Sequence, residues 1–270
     1  MNTPPNRFKQ ALAARQPQIG LWVNLANPLS AEICAGAGFD WLLLDAEHSP
    51  NTLGTLLAQL QAVAAYPDTH PIGRVPLGHG KAGAALIKQF LDLGFQTLLV
   101  PMVETPEQAA ALVRATRYPP EGIRGMAGAR ASRWGRYADY ASAANGQVCL
   151  LVQVETRAGL DNLDAIAATP GVDGVFIGPA DLSASLGHVG QASHPEMLRV
   201  MDEAVTRIVR AGKAAGILFS DEALARRYLA LGATFVAVGL DTQILVRQTS
   251  ALAALYKSDA PPPAASSKVY

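Results

Sequence analysis

Eight times along the chain a short apolar run gives way to a longer segment whose apolar residues recur at spacings of three and four. The runs are IGLWVNL from Ile19, WLLLD from Trp41, PIGRVP from Pro71, TLLVPMV from Thr97, VCLLVQVE from Val148, GVFIGP from Gly174, GILF from Gly216 and FVAVGLD from Phe235. Runs this short and this continuously apolar suit strands buried on both faces, the habit of parallel sheets. The segments between them, such as SAEICAGAG, PEQAAALVRATR, PEMLRVMDEAVTRIVRAG and DEALARRYLALG, have helical periodicity. Several end in glycine just before the next run, as a left-handed helix cap followed by a short loop would. Eight such units in 270 residues predict an α/β fold, a closed (β/α)8 TIM barrel forming a single domain over residues 1–256. A doubly wound open sheet is the rival, but it usually carries a glycine-rich loop after its first strand. Here the first run continues into NLANPLS instead.

Composition narrows the function. Half of the residues are hydrophobic, 16% are charged and the formal net charge is zero. A neutral chain lacks the basic excess that nucleic acid or an anionic membrane surface demands, so neither is expected as a partner. No apolar run approaches the roughly 20 residues needed to span a bilayer. The start, MNTPPNRFKQALAARQPQ, has no apolar core of signal-peptide type, and a cytoplasmic location is expected. Cys34 and Cys149 show no metal spacing and are expected to be free thiols. Residues 257–270, KSDAPPPAASSKVY, are expected to form a disordered tail. The connection YPPEGIRGMAGARASRWGRY from Tyr118 lacks apolar periodicity, and a loop of that length is expected to be functional.

In a barrel of this kind chemistry sits at the C-terminal ends of the strands. The second run ends in Asp45, Glu47 and His48, and the third carries Arg74 near its end. The fifth ends with Gln153 and Glu155, two apart and therefore on one face. Asp181 lies just past the sixth. Singly, each has a bland reading. His48 suits a solvated loop, Glu155 an ion pair with Arg157 or Arg74, and Asp181 a helix N-cap. Gln153 can serve barrel hydrogen bonds alone. Together they describe one rim.

Glu155 and Asp181 are hard oxygen ligands without a His or Cys partner, a pair suited to magnesium, manganese or cobalt with substrate oxygens completing the shell. Such a cation acts as a Lewis acid on a chelating 2-oxo acid. Arg74 suits a carboxylate or a developing oxyanion, and His48 can take or give a proton near neutrality. The alternative, a lysine Schiff base, finds none of the six lysines at a strand's C-terminal end.

The motifs AGAGFDWLLLDAEHSPN, TLLVPMVET, TRYPPEGIRG, ARASRW, LVQVET, GVDGVFIGPADLS and LGATFVAVGLD resemble those of the HpcH/HpaI family of metal-dependent (class II) pyruvate aldolases. The resemblance runs from about Phe8 to Leu255. It implies a barrel of the phosphoenolpyruvate/pyruvate-binding type and an aldehyde-lyase that cleaves a 4-hydroxy-2-oxo acid through a pyruvate enolate. The closest likeness is to 4-hydroxy-2-oxoheptanedioate cleavage to pyruvate and succinic semialdehyde, a reaction of aromatic catabolism. Cleavage of a 2-keto-3-deoxy sugar acid is the alternative, and a CoA-thioester lyase a more distant one.

Carried over by motif, the resemblance makes His48 the base and Arg74 the stabiliser of the enolate. Glu155 and Asp181 become ligands of the divalent metal, and Gln153 with the backbone of Ala180 and Asp181 holds the pyruvyl half. It also implies that Asp92 raises the basicity of the histidine. Asp92 falls near the end of a helix, at the far end of its own barrel, so that role implies a neighbouring subunit. Asp45 is the intrachain rival for orienting His48. The family assembles as a homohexamer that exchanges a C-terminal helix, and TQILVRQTSALAALY is apolar enough for that. The chain departs from the family after Arg74, where VPLGHGKAGAALIK is a few residues longer and introduces His79.

Overall fold

A computed structural model describes residues 1–257; the rest of the expected tail lies outside the described residues. The eight strands are β1 (Gln18–Val23), β2 (Trp41–Asp45), β3 (His70–Arg74), β4 (Thr97–Val100), β5 (Cys149–Val154), β6 (Gly174–Ile177), β7 (Ala214–Leu218) and β8 (Phe235–Leu240). They pair in sequence order, all parallel, and β8 closes onto β1. The eight-stranded TIM barrel expected from the apolar runs is therefore present. Several runs outlast their strands, because the Asn-Leu after Val23, the Pro-Met-Val after Val100 and the Gly-Pro after Ile177 turn into the rim loops.

Strand parity divides the core. Leu42 and Leu44 point outward into the layer between sheet and helices, among Leu98, Val100, Leu150, Val152 and Ile217. Trp41 and Leu43 point into the barrel beside Trp22, Ile72, Leu99, Leu151, Phe176 and Phe235. That interior is filled by rings, with Trp22 and Trp41 edge to face at 6.4 Å and Phe8 closing one end at 6.3 Å from Trp41. Two glycines make the filling possible. A Cβ on Gly20 would sit 2.1 Å from the Trp41 ring, and one on Gly216 2.2 Å from Phe235.

The same parity continues upward. Trp41 and Leu43 lead to Asp45, Ile72 leads to Arg74, and Cys149 and Leu151 lead to Gln153 and Glu155. These polar side chains form the topmost interior layer, above the rings. Segment 118–139 joins the helix Pro106–Thr116 to the helix before β5, so in this chain it lies at the opposite end of the barrel. The segment expected to be functional therefore lies away from the rim of its own barrel. It carries the cis peptide Pro119–Pro120 and packs against the end of the helix Gly80–Leu93, where Arg124 meets Asp92 at 2.7 Å. No described helix is long and apolar enough to cross a membrane. Cys34 and Cys149 are free.

Candidate active site

β2 and β3 pair with Asp45 directly opposite Arg74. The guanidinium uses its fork, Nε donating to Oδ1 and Nη2 to Oδ2 of Asp45, each at 2.7 Å. Its third nitrogen, Nη1, faces Glu47 Oε2 at 2.8 Å. Trp22 lies under the guanidinium, 5.1 Å from ring centre to Cζ. Of its five N–H donors two are hydrogen-bonded to Asp45, and Nη1 faces Glu47 as a charge contact, which leaves donors for a substrate oxygen. Burial pushes the Asp45 carboxyl up, but the Arg74 hydrogen bonds and charge outweigh it and hold Asp45 below the usual carboxylate range. The expectation that Asp45 orients His48 is corrected here. Both of its oxygens are committed to Arg74, and Oδ1 also accepts the Glu47 N–H at 3.0 Å.

Glu155 ends β5 almost fully buried, at 1% exposure. Its Oε1 accepts the Met102 N–H at 2.9 Å, and Gln153 Nε2 donates to its Oε2. It makes no ion pair with Arg157. Burial, with the charge of Asp181, raises the Glu155 carboxyl above its ordinary range despite those two donors. Gly178, at the end of β6, leaves room for this carboxylate, since a Cβ there would lie 2.4 Å from Oε2 and 2.9 Å from the Glu155 Cβ. Asp181 is the third residue of the helix Pro179–Ser185, whose N-cap is Gly178, so Asp181 is not the cap. Ala180 precedes it in the same first turn, where backbone N–H groups lack intrahelical acceptors.

Glu47 is the residue that sequence reading left without a role. Burial, and the charges of Glu155, Asp45 and Asp181, push its carboxyl up to about 7, against the pull of Arg74. Its Oε2 is buried and contacts Arg74 without hydrogen-bond geometry. The only sequence signal was its place inside the acid–acid–imidazole cluster. His48 stands next to it, its Nε2 4.0 Å from Glu47 Oε2 and its side chain 62% exposed at the mouth. Asn51 fixes the loop bearing both. Its Nδ2 donates to the Asp45 carbonyl at 2.6 Å, and its Oδ1 accepts from Thr55 and Gln59.

The structure thus gathers Asp45, Glu47, Arg74, Gln153, Glu155 and Asp181 into one electrostatically coupled group, with His48 beside Glu47. It does not bring Asp92 there, because Asp92 is paired with Arg124 at the far end of the barrel. His79, from the longer segment after Arg74, bonds the Met102 carbonyl at 3.0 Å and stands at the start of its helix. No described lysine reaches the rim group; Lys9 and Lys213 bind the carbonyls of Val148 and Val172 below the barrel.

Four carboxyl groups gather near one arginine, and burial with their mutual repulsion raises those of Glu47 and Glu155, an excess of acid that a divalent cation fits. Glu155 and Asp181 supply oxygens only, and the Gln153 Oε1 beside them is buried without a partner.

The sequence model of the family described as HpcH/HpaI aldolase/citrate lyase matches residues 18–248. A hydroxypyruvate/pyruvate aldolase of Deinococcus radiodurans is 63% identical over 254 residues, covering 93% of this chain and 90% of the relative. A 4-hydroxy-2-oxo-heptane-1,7-dioate aldolase of Klebsiella pneumoniae is 56% identical, covering 94% and 95%. The crystal structure of a family member from Burkholderia cenocepacia superimposes with a TM-score of 0.88 at 42% identity, covering 94% of this chain and 100% of that one. Matched over nearly the whole barrel at these identities, the chain belongs to the HpcH/HpaI aldolase/citrate lyase family and is a carbon–carbon lyase.

Proposed function

We propose that the protein is a divalent-metal-dependent aldolase that reversibly cleaves a 4-hydroxy-2-oxo acid, 4-hydroxy-2-oxoheptanedioate first among them, into pyruvate and an aldehyde. The observation that carries this reading is the imbalance at the rim, where Asp45, Glu47 and Glu155 crowd a single buried arginine and Asp181 adds its charge to Glu47 and Glu155. Glu155 and Asp181 would hold the cation, magnesium, manganese or cobalt, which when bound supplies Lewis-acid polarisation of the substrate's 2-oxo group.

The protein's own groups supply the rest. Arg74, immobilised by Asp45 and Trp22, presents its free N–H donors where negative charge gathers on the C2 oxygen as the C3–C4 bond breaks. A donor held rigidly in a water-poor pocket needs no reorganisation at that moment, which is what makes it effective. His48 Nε2, the exposed base at the mouth, takes the proton of the 4-hydroxyl, directly or through water, as the aldehyde forms. Gln153 and the first-turn amides of Ala180 and Asp181 orient the carboxylate of the 2-oxo acid. The rings of Trp22 and Phe176 floor the pocket and keep water from below. A hydroxypyruvate donor is a second reading, favoured by the relative from Deinococcus radiodurans, and 2-keto-3-deoxy sugar acids a third. Asp92 would act on the His48 of a neighbouring subunit in a homohexamer.

A cleavage screen tests the reading. Purified protein with Mg²⁺ or Mn²⁺ is offered the pyruvate and hydroxypyruvate adducts of succinic semialdehyde, glyceraldehyde and lactaldehyde, with released 2-oxo acid measured by coupled reduction. Cleavage of at least one is expected, and acetyl-CoA should neither bind nor compete. Inertness toward every adduct, with acetyl-CoA bound, would replace the aldolase reading by a CoA-thioester lyase.

A further inference from the structure

Beyond the end of the helix Pro179–Ser185, the chain runs through Leu186–His194 into the helix Pro195–Arg210. This stretch is folded back on itself. The His188 N–H reaches the Ser183 carbonyl at 2.7 Å, Gln191 N–H the His188 carbonyl at 3.0 Å, and His194 N–H the Gln191 carbonyl at 2.9 Å. The turns stack the imidazoles of His188 and His194 with centroids 4.4 Å apart and planes at 31°. Glu196 completes the group, its Oε2 3.3 Å from His188 Nε2. One ligand atom from each of the three side chains lies within 4.8 Å of the other two.

We propose that His188, His194 and Glu196 form a second metal site, separate in place and in chemistry from the Glu155/Asp181 pair, and selective for a borderline cation such as Zn²⁺, Ni²⁺ or Co²⁺. Two imidazoles and one carboxylate are the ligand set such ions prefer, with water in a fourth position. Mg²⁺ prefers oxygen and keeps its water, and so is a poor occupant.

Three features support a ligand set over a chance surface pair. His188 makes no side-chain hydrogen bond among the described residues, although its ring nitrogen stands within reach of Glu196. The ring is largely shielded, with 21% of its side chain exposed, so an idle nitrogen there lacks full compensation from water. The single competing bond, from the Glu196 N–H to His194 Nδ1, is long at 3.3 Å and readily displaced. Glu196, in the first turn of its helix, contributes the negative charge that offsets the cation against the helix terminus. An ion here would staple the nine residues 186–194 to the long helix, and so brace the connection that follows the helix bearing Asp181.

The test is a calorimetric titration of chelator-stripped full-length protein with Zn²⁺ in a large excess of Mg²⁺, which saturates the oxygen pair. One further equivalent of Zn²⁺ should bind. H188Q and H194Q should each weaken it at least tenfold, while the E155Q/D181N double variant retains it. Zn²⁺ should also raise the melting temperature of the wild type and not of H188Q. Absence of a Zn²⁺ equivalent over the Mg²⁺ background in the wild type overturns the proposal, as does unchanged affinity in both histidine variants. Loss of the equivalent in E155Q/D181N would place the ion at the oxygen pair and overturn it equally. Should a histidine variant fail to fold, the wild-type stoichiometry and the double variant still decide.

Discussion

Glu47 keeps its proton up to about pH 7 because its carboxyl is buried among three other acids. The folded state therefore binds that proton more tightly than the unfolded chain, where the ordinary value is 4.5. Its contribution to stability falls as pH rises from about 4.5 to about 7 and levels off above, a penalty on the order of 3 kcal/mol. In metal-free protein, E47Q should lose this slope, gaining stability relative to wild type across that window when both are melted from pH 4.5 to 8. Parallel profiles would contradict the burial argument. His48 behaves differently because most of its side chain meets solvent. H48A should change stability by less than about 0.5 kcal/mol while lowering turnover by orders of magnitude. A turnover within a few-fold of wild type would remove His48 from the proton path. Neither expectation about Asp45 and Glu47 could be drawn from their side-chain types. The DAEH tetrad announces a site, but which acid meets which base is decided by strand register, and register is silent in a single chain's sequence.

At the scale of elements, the pairing of β2 with β3 sets Asp45 opposite Arg74, and the β6-to-helix junction makes room for Glu155. R74A leaves a fully buried Asp45 without its partner and should cost about 3–5 kcal/mol in denaturant unfolding, besides abolishing cleavage. R74K keeps the charge but not the fork, and should recover stability better than activity. G178A is a sharper probe. The added methyl meets the base of the Glu155 side chain as well as its oxygen, so the carboxylate must move. Divalent-cation affinity should fall roughly 10–100-fold with the barrel still folded. Unaltered affinity would show that Glu155 does not hold the ion in its present position. The strands themselves were legible because parallel strands are buried on both faces and announce themselves as unbroken apolar runs. Parity within those runs also foretold that Gln153 and Glu155 share a face. The place of the long connection at 118–139 was not legible, for the opposite reason. Irregular sequence marks a loop but not which end of the barrel it occupies, and its place between a helix and the following strand puts it far from the rim.

For the whole molecule, the helix Asp241–Tyr256 buries little besides Asp241, which clamps the start of the β1 loop through the Asn24 and Leu25 amides. Beyond that clamp it exposes Leu245, Val246, Leu252 and Leu255, an apolar face that a monomer leaves wet. We expect a homo-oligomer in solution by light scattering, with L245E/L252E reducing its order; a wild-type monomer would refute both the assembly and any action of Asp92 across an interface. The account as a whole rests on a single cation held by Glu155 and Asp181 beside Arg74 and His48. Its most direct test is to strip the purified protein with a chelator and follow cleavage of 4-hydroxy-2-oxoheptanedioate as Mn²⁺ or Mg²⁺ is returned to wild type and to E155Q/D181N. Activity should vanish on stripping, return in the wild type, and stay absent in the double variant. Full cleavage by stripped protein, or restoration in the double variant, would contradict the claim.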